Sequence, residues 1–206
     1  MHLSIKRVWF QNLKFDITKD VFEPSEDSFL FAENLDVHKC DEVLDLGTGC
    51  GILGIIAAQK AKNVLSIDIN PYAINCAKQN ATLNNMQKKM SFLRGDLLTA
   101  LNNDVLFDLI LFNAPYLPSE IHEIETWIGR AWAGGPDGRD VIDCFIPQAT
   151  RHLKQSGRIF LLQSSLTNLK LTLQKFHEHG LSAVVRAESN LPFFETIYLI
   201  EACYRQ

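Results

Sequence analysis

The chain has 206 residues, of which 47% are apolar and 21% charged, and its formal net charge is −4. That is enough chain to bury a sizeable single core, and the balance is that of an ordinary soluble globular domain. The mildly acidic charge weighs against tight nonspecific binding to nucleic acid; no apolar run is long enough to span a bilayer; and Cys40, Cys50, Cys76, Cys144 and Cys203, scattered without a Cys-x-x-Cys pair, argue against a disulfide framework or a structural zinc site.

Residues 1–20 mix apolar and polar positions, as in Val8-Trp9-Phe10 and Leu13-Lys14-Phe15-Asp16-Ile17. They are expected to form a short hairpin or an arm across a sheet, ahead of a main domain spanning 21–206. In Phe22-Glu23-Pro24-Ser25-Glu26-Asp27-Ser28, acidic residues and serines precede the run Phe29 to Leu35, which is a helix-start signature. Capping alone would explain it; the alternative is that Ser28 and its acidic neighbours face a ligand. Glu42–Leu46 reads as the first central strand, running into Gly47-Thr48-Gly49-Cys50-Gly51 and a helix from Ile52 to about Lys60. Asn63–Ile67 is the second strand and ends in Asp68; Asn70 then caps a helix that starts at Pro71 and reaches about Asn84. A third strand covers 89–94, followed by Gly95-Asp96-Leu97.

The apolar run Leu106–Phe112 is a fourth, buried strand and leads into Asn113-Ala114-Pro115-Tyr116. A loop from Leu117 to Gly138 carries Trp127, Trp132, Gly134 and Gly135. A helix from about Arg139 to Leu153, a strand Arg158–Gln163, a helix near Leu166–His177 and strands Ser182–Ala187 and Thr196–Ala202 complete the chain. His177 and His179, two apart near a helix end, read as a solvated face rather than a metal site. Strands alternating with helices imply a Rossmann-like α/β fold: a seven-stranded mixed sheet, mostly parallel with the last strand antiparallel, and helices on both faces.

The polar residues cluster at strand ends, where open α/β sheets bind ligands. The Gly-x-Gly-x-x-Gly match at Gly49, Gly51 and Gly54 is out of register for a dinucleotide, because the strand ends at Leu46. What fits is Asp45 in the strand followed by Gly47, Gly49 and Gly51: a loop cradling a ligand without a pyrophosphate, with Asp45 free to meet an amino group. Asp68 can take two ribose hydroxyls and Asp96 an adenine amino group. An amino group, a ribose and an adenine in a row describe S-adenosylmethionine. The Asn113 side-chain oxygen and the Ala114 carbonyl are two acceptors, Pro115 restrains where the second points, and Tyr116 adds a flat face. Together they suit a planar –NH2 group.

On these motifs the chain resembles the class I S-adenosylmethionine-dependent methyltransferases. More narrowly, it resembles the HemK-type protein-glutamine N-methyltransferases of the eukaryotic and archaeal branch. The resemblance runs from about residue 20 to the C-terminus. Its selective parts are the Glu26-Asp27-Ser28 segment and Ala131-Trp132-Ala133-Gly134-Gly135-Pro136-Asp137-Gly138-Arg139; the glycine loop is shared by many methyltransferases. It implies cofactor contacts from Ser28, Asp45, Gly47, Gly49, Asp68, Asp96, Leu97 and Asn113, and amide binding by Asn113, Ala114, Pro115 and Tyr116. It implies a release-factor glutamine in a Gly-Gly-Gln motif as substrate and a small zinc-binding activator subunit on the apolar edge strand 89–94; the cytoplasmic setting is expected instead from the scattered cysteines and from the lack of an apolar leader or bilayer-spanning run. One position departs from the family: Ala114 stands where Pro is usual, which keeps the carbonyl and loses a φ restraint. Two other readings use the same residues: an N-methyltransferase acting on adenine or guanine amino groups of RNA or DNA, and a cofactor-binding partner module without turnover.

Overall fold

In the computed structural model, which describes residues 5–205, the alternation of strands and helices closes into one sheet covered on both faces. Residues 1–4 of the expected N-terminal arm, and residue 206, lie outside the described residues. The strands are β1 (Lys6–Phe10), β2 (Leu13–Ile17), β3 (Glu42–Leu46), β4 (Asn63–Asp68), β5 (Met90–Arg94), β6 (Phe107–Asn113), β7 (Leu153–Ser164), β8 (Leu181–Asn190) and β9 (Thr196–Tyr204). The helices are α1 (Glu26–Glu33), α2 (Ile52–Ala58), α3 (Pro71–Leu83), α4 (Trp127–Trp132), α5 (Asp140–Arg151) and α6 (Leu169–Glu178).

Seven strands form the main sheet in the order β5-β4-β3-β6-β7-β9-β8. The strands from β3 to β7 are parallel, and β9 runs antiparallel to both of its neighbours. This is the mixed, mostly parallel sheet expected from the sequence, with β5 at one edge.

The central strands are mostly apolar because both faces are buried, with Asp45 in β3 and Ser66 in β4 as buried polar exceptions. Along β6, Leu109 and Leu111 enter the core beneath α1, α2 and α3, while Ile110 and Phe112 enter the one beneath α5 and α6. β7 divides likewise, with Phe160 and Leu162 on the first face and Ile159 and Leu161 on the second. Each fully buried Leu or Ile contributes roughly 1.5–3 kcal/mol.

The chain reverses its build direction between β3 and β6, which lie side by side with Leu46 opposite Phe112. Such a switch point opens a crevice at the strand ends. It also brings the glycine loop after β3 next to Asn113 at the end of β6.

The hairpin β1–β2 is held on α3 by two asparagines one helical turn apart. Asn80 accepts from the Asp16 N–H (2.8 Å) and Asn84 from the Lys14 N–H (3.0 Å), and each amide NH2 donates back to the carbonyl of the same residue. Asn80 also donates to the Cys50 carbonyl (2.9 Å), which ties the hairpin to the glycine loop.

Two stretches differ from their sequence reading, the first being β7, which begins at Leu153 rather than Arg158. Residues 117–138 are not all loop: a 3-10 turn over Ile121–Glu125 is followed by α4. Thr126 caps α4 by accepting from the Gly129 N–H (3.0 Å). A helix of barely more than one turn has no apolar period to read.

Candidate functional site

A cavity of about 670 Å³ opens at the carboxyl ends of β3, β4 and β6, within the range of sites for small molecules. Ser28, Gly47, Gly49, Asp68, Asp96, Leu97, Asn113, Ala114, Pro115 and Tyr116 all line it. Residues spread over the 89 positions from Ser28 to Tyr116 thus meet because α1 and the carboxyl ends of these strands converge on one crevice.

Asp45 is the exception: it lies beneath the glycine loop and does not line the cavity. Strand alternation explains this, since Asp45 shares its face with Val43 and so points under α2, away from the strand end. Its Oδ2 accepts from Thr48 Oγ1 (2.5 Å), the Gly54 N–H (3.0 Å) and Ser66 Oγ (3.5 Å). The carboxylate therefore braces the loop rather than presenting itself to a ligand. Burial pushes its pKa up to about 7, against the pull of its donors.

This also explains Gly54, the third glycine of the out-of-register match. A Cβ there would stand 2.5 Å from Asp45 Oδ2 and 3.0 Å from Ser66 Oγ. The glycine lets α2 settle onto the Asp45 carboxylate.

Asp68 does face the cavity. Its Oδ2 accepts from the Gly49 N–H (2.9 Å) and its Oδ1 from the Asn70 N–H (2.8 Å), so each oxygen keeps a lone pair for a further donor. Burial raises its pKa as well. Asn70 caps α3 through Tyr72 N–H (2.9 Å), with Pro71 at the first helical position, as the sequence indicated. Its amide also donates to the Asp20 carbonyl (2.7 Å), closing the cavity wall from the N-terminal side.

The opposite wall is built around Asp27, whose part sequence reasoning missed. It is 6% exposed at the start of α1, and both of its oxygens are occupied. Oδ1 accepts from Ser25 Oγ (2.7 Å), the Ser28 N–H (2.6 Å) and Ser28 Oγ (3.1 Å). Oδ2 accepts from Asn113 Nδ2 (3.0 Å) and from the Tyr116 hydroxyl (3.1 Å). An ionised carboxylate is an acceptor only, so Asn113 must turn its NH2 toward Asp27 and its oxygen the other way. That oxygen, Asn113 Oδ1, is buried with no hydrogen-bond partner among the described residues. The Tyr116 hydroxyl is held well above the usual tyrosine range, first by burial and then by the Asp27 charge, so it stays a donor. The available signal was the Glu-Asp-Ser segment, but linear sequence does not show which of its polar groups reaches β6.

The 117–138 segment braces this wall. The Leu117 N–H donates to the Trp132 carbonyl (2.9 Å), Gly134 N–H to Leu117 O (2.8 Å) and Ser119 N–H to Gly135 O (2.8 Å). Gly138, with φ at +74°, packs so closely that a Cβ would stand 2.3 Å from the Tyr116 carbonyl. Trp127, Arg130 and Trp132 add apolar and cationic surface to the cavity.

The chemistry of this donor set suits two ligands side by side: one with hydroxyl and amino donors on the Asp68 and Asp96 wall, the other with an N–H donor at Asn113 Oδ1. A family model described as methyltransferase small domain matches residues 20–130. The Methanocaldococcus jannaschii protein MJ0928, named as a candidate protein N5-glutamine methyltransferase, is 40% identical over 92% of this chain and 95% of its own length. Methyltransferase HEMK2 of Homo sapiens is 32% identical over 79% of this chain and 80% of its own. Among solved structures, the E. cuniculi Mtq2–Trm112 complex, described as responsible for methylation of the translation termination factor eRF1, contains a chain that superposes with a TM-score of 0.70. That chain is 26% identical, and the match covers 90% of this chain and 99% of the other.

Proposed function

This chain belongs to the methyltransferase small-domain family, in its protein-glutamine branch, and from that premise we propose that it methylates the side-chain nitrogen of a glutamine in the Gly-Gly-Gln segment of a peptide-chain release factor. S-adenosylmethionine, when bound, supplies a methyl carbon activated by a positively charged sulfur. Asp68 would hold its ribose hydroxyls, Asp96 and Leu97 its adenine, and Gly47 and Gly49 its amino-acid end, with Asp45 acting through the loop it braces.

The observation that carries the reading is Asn113 Oδ1, a buried acceptor left open by the Asp27 clamp. An unmet buried acceptor costs about 1–3 kcal/mol, which is recovered when an amide N–H arrives. Asn113 Oδ1 and the Ala114 carbonyl would take the two N–H bonds of the glutamine amide and aim its nitrogen at the methyl group. They would also favour the positive charge that develops on nitrogen. An amide nitrogen is a poor nucleophile, so positioning carries most of the work; it can supply up to roughly 7–11 kcal/mol. No base is needed beforehand, because the alkylated amide is far more acidic than the starting one. Tyr116 would pack along the amide plane.

The partly buried Phe92 and Leu93 on the edge strand β5 support docking of a small activator subunit there, zinc-binding in the form we propose. The complexed Mtq2 neighbour supports the same reading. A cytoplasmic setting fits the five free cysteines. The test is transfer of labelled methyl to purified release factor, wild type beside a variant with the Gly-Gly-Gln glutamine changed to Ala, with and without the activator. Label on the wild-type factor alone supports the reading; label that survives the change at glutamine overturns it.

Two further outcomes follow from the cofactor wall. Asp68 holds its proton more tightly than an exposed carboxylate, and donors on the ligand favour its ionised form. Cofactor affinity should therefore fall as pH drops through the range in which Asp68 takes up a proton, and binding there should release protons. Calorimetry in buffers of different ionisation enthalpy would read this directly; proton uptake would contradict it. Gly54→Ala should destabilise the protein by about 1–3 kcal/mol through overpacking on Asp45, although Gly→Ala within a helix ordinarily gains roughly 0.5–1 kcal/mol. A denaturant midpoint above wild type would show that α2 can move aside.

A further inference from the structure

We propose that the Glu195 carboxylate, on the turn between β8 and β9, is a substrate-binding group that accepts a main-chain N–H of the peptide segment bearing the target side chain. The inference rests on the glutamine reading above and extends it to the polypeptide around the target.

Glu195 lines the cavity, yet its Oε1 is buried with no hydrogen-bond partner among the described residues. Glu195 thus brings to the lining of the cavity that Asn113 also lines a second buried acceptor without a donor. Its place is on the substrate side, since its charge, like that of Asp27, helps to hold the Tyr116 hydroxyl protonated. The turn that carries it is closed by the Leu191 N–H donating to the Glu195 carbonyl (2.8 Å). Phe194, immediately before, is fully exposed at φ +64°, a strained conformation for a bulky side chain.

A buried carboxylate oxygen without a donor is costly, so the ligand that completes it must bring one. Among the described residues no cation pairs with Glu195. Arg130, the cation lining the cavity, donates to the Ile124 carbonyl (2.8 Å) and lies over the Trp127 ring. Asp27, Asp68, Asp96 and Glu195, which line the cavity, would repel a phosphate backbone. The exposed Ile124, which lines the cavity, and Phe194, next to Glu195, add apolar surface that a peptide can cover. A peptide that inserts a glutamine side chain into the cavity necessarily carries main-chain N–H groups close behind it.

The experiment measures kcat and KM for release factor with wild type, Glu195→Gln and Glu195→Ala. Cofactor Kd is measured for each. In a parallel arm, release factors assembled by ligation carry a backbone ester in place of the N–H at the glutamine, at the residue before it or at the residue after it. Glu195→Ala is expected to raise KM for the factor roughly tenfold to a hundredfold, the range of a hydrogen bond to a charged group, with kcat and cofactor Kd within twofold. Glu195→Gln, which keeps a carbonyl of the same shape, should fall between. One of the three esters should raise KM on the wild-type enzyme and cost little more on Glu195→Ala. Additive losses for all three esters, an unchanged KM, or a KM that follows only a basic side chain of the factor would overturn the inference. If Glu195→Ala does not fold, Glu195→Gln and the ester series on wild type decide it. Wild type that leaves the factor unlabelled defeats the glutamine reading and this inference with it; an active wild type with indifferent Glu195 variants defeats this inference alone.

Discussion

Asn113→Ala is expected to lower kcat for methyl transfer by at least about a thousandfold while leaving S-adenosylmethionine affinity within about twofold. Removing one preorganised polar group from an active site commonly costs 10²–10³ in rate, and here the same group also positions a weak nucleophile. The cofactor wall is made by other strands, with Asp68 on β4 and Asp96 after β5, so cofactor binding should survive. Asn113→Asp should fail nearly as badly despite its matching shape. It would set a second carboxylate about where Asn113 Nδ2 now lies 3.0 Å from Asp27, and two such groups cannot both ionise. Single-turnover rates beside calorimetric cofactor binding would check both variants. A joint loss of binding and rate would mean that Asn113 holds the cofactor instead.

Asp27→Asn is expected to lower kcat about a hundredfold, again with cofactor binding nearly intact. The native carboxylate accepts from five donors: Ser25 Oγ, Ser28 N–H, Ser28 Oγ, Asn113 Nδ2 and Tyr116 OH. An asparagine offers one accepting oxygen, so whichever way it turns its NH2 confronts donors. If the NH2 faces β6, Asn113 flips and presents its own NH2 to the substrate amide, where two donors oppose each other. The effect should vanish in the Asn113→Ala background, because Asp27 acts through Asn113; a double-mutant cycle measures this. Equal losses in both backgrounds would assign Asp27 a merely structural part.

Several parts of the site could be read directly from the chain. The apolar runs of β3 and β6, the Asp68 and Asp96 strand ends, Asn70 with Pro71 at the start of α3, and Asn113-Ala114-Pro115-Tyr116 are local patterns: each needs only its own neighbours to be recognised. Asp45 was legible in kind, and the structure sets it beneath the glycine loop rather than on the cavity wall. Strand alternation, applied strictly, puts it on the α2 face with Val43, and Gly54 is then the residue that must be small above it. Asp27 and Glu195 were out of reach for another reason. One joins α1 to β6 across the cavity and the other enters from the turn before β9, so their importance lies in which groups they meet or leave open.

Local patterns in the chain thus specify the alternating architecture, the family and the set of strand-end groups, because backbone propensity, hydrophobic period and turn chemistry are short-range. Contacts between distant parts of the chain settle that Asp45 braces a loop, that Asp27 orients the Asn113 amide, and that the buried acceptors Asn113 Oδ1 and Glu195 Oε1 have no donor among the described residues. Hydrogen-bond satisfaction in a buried site is a property of groups far apart in the chain, and it exists only once the sheet has brought them together.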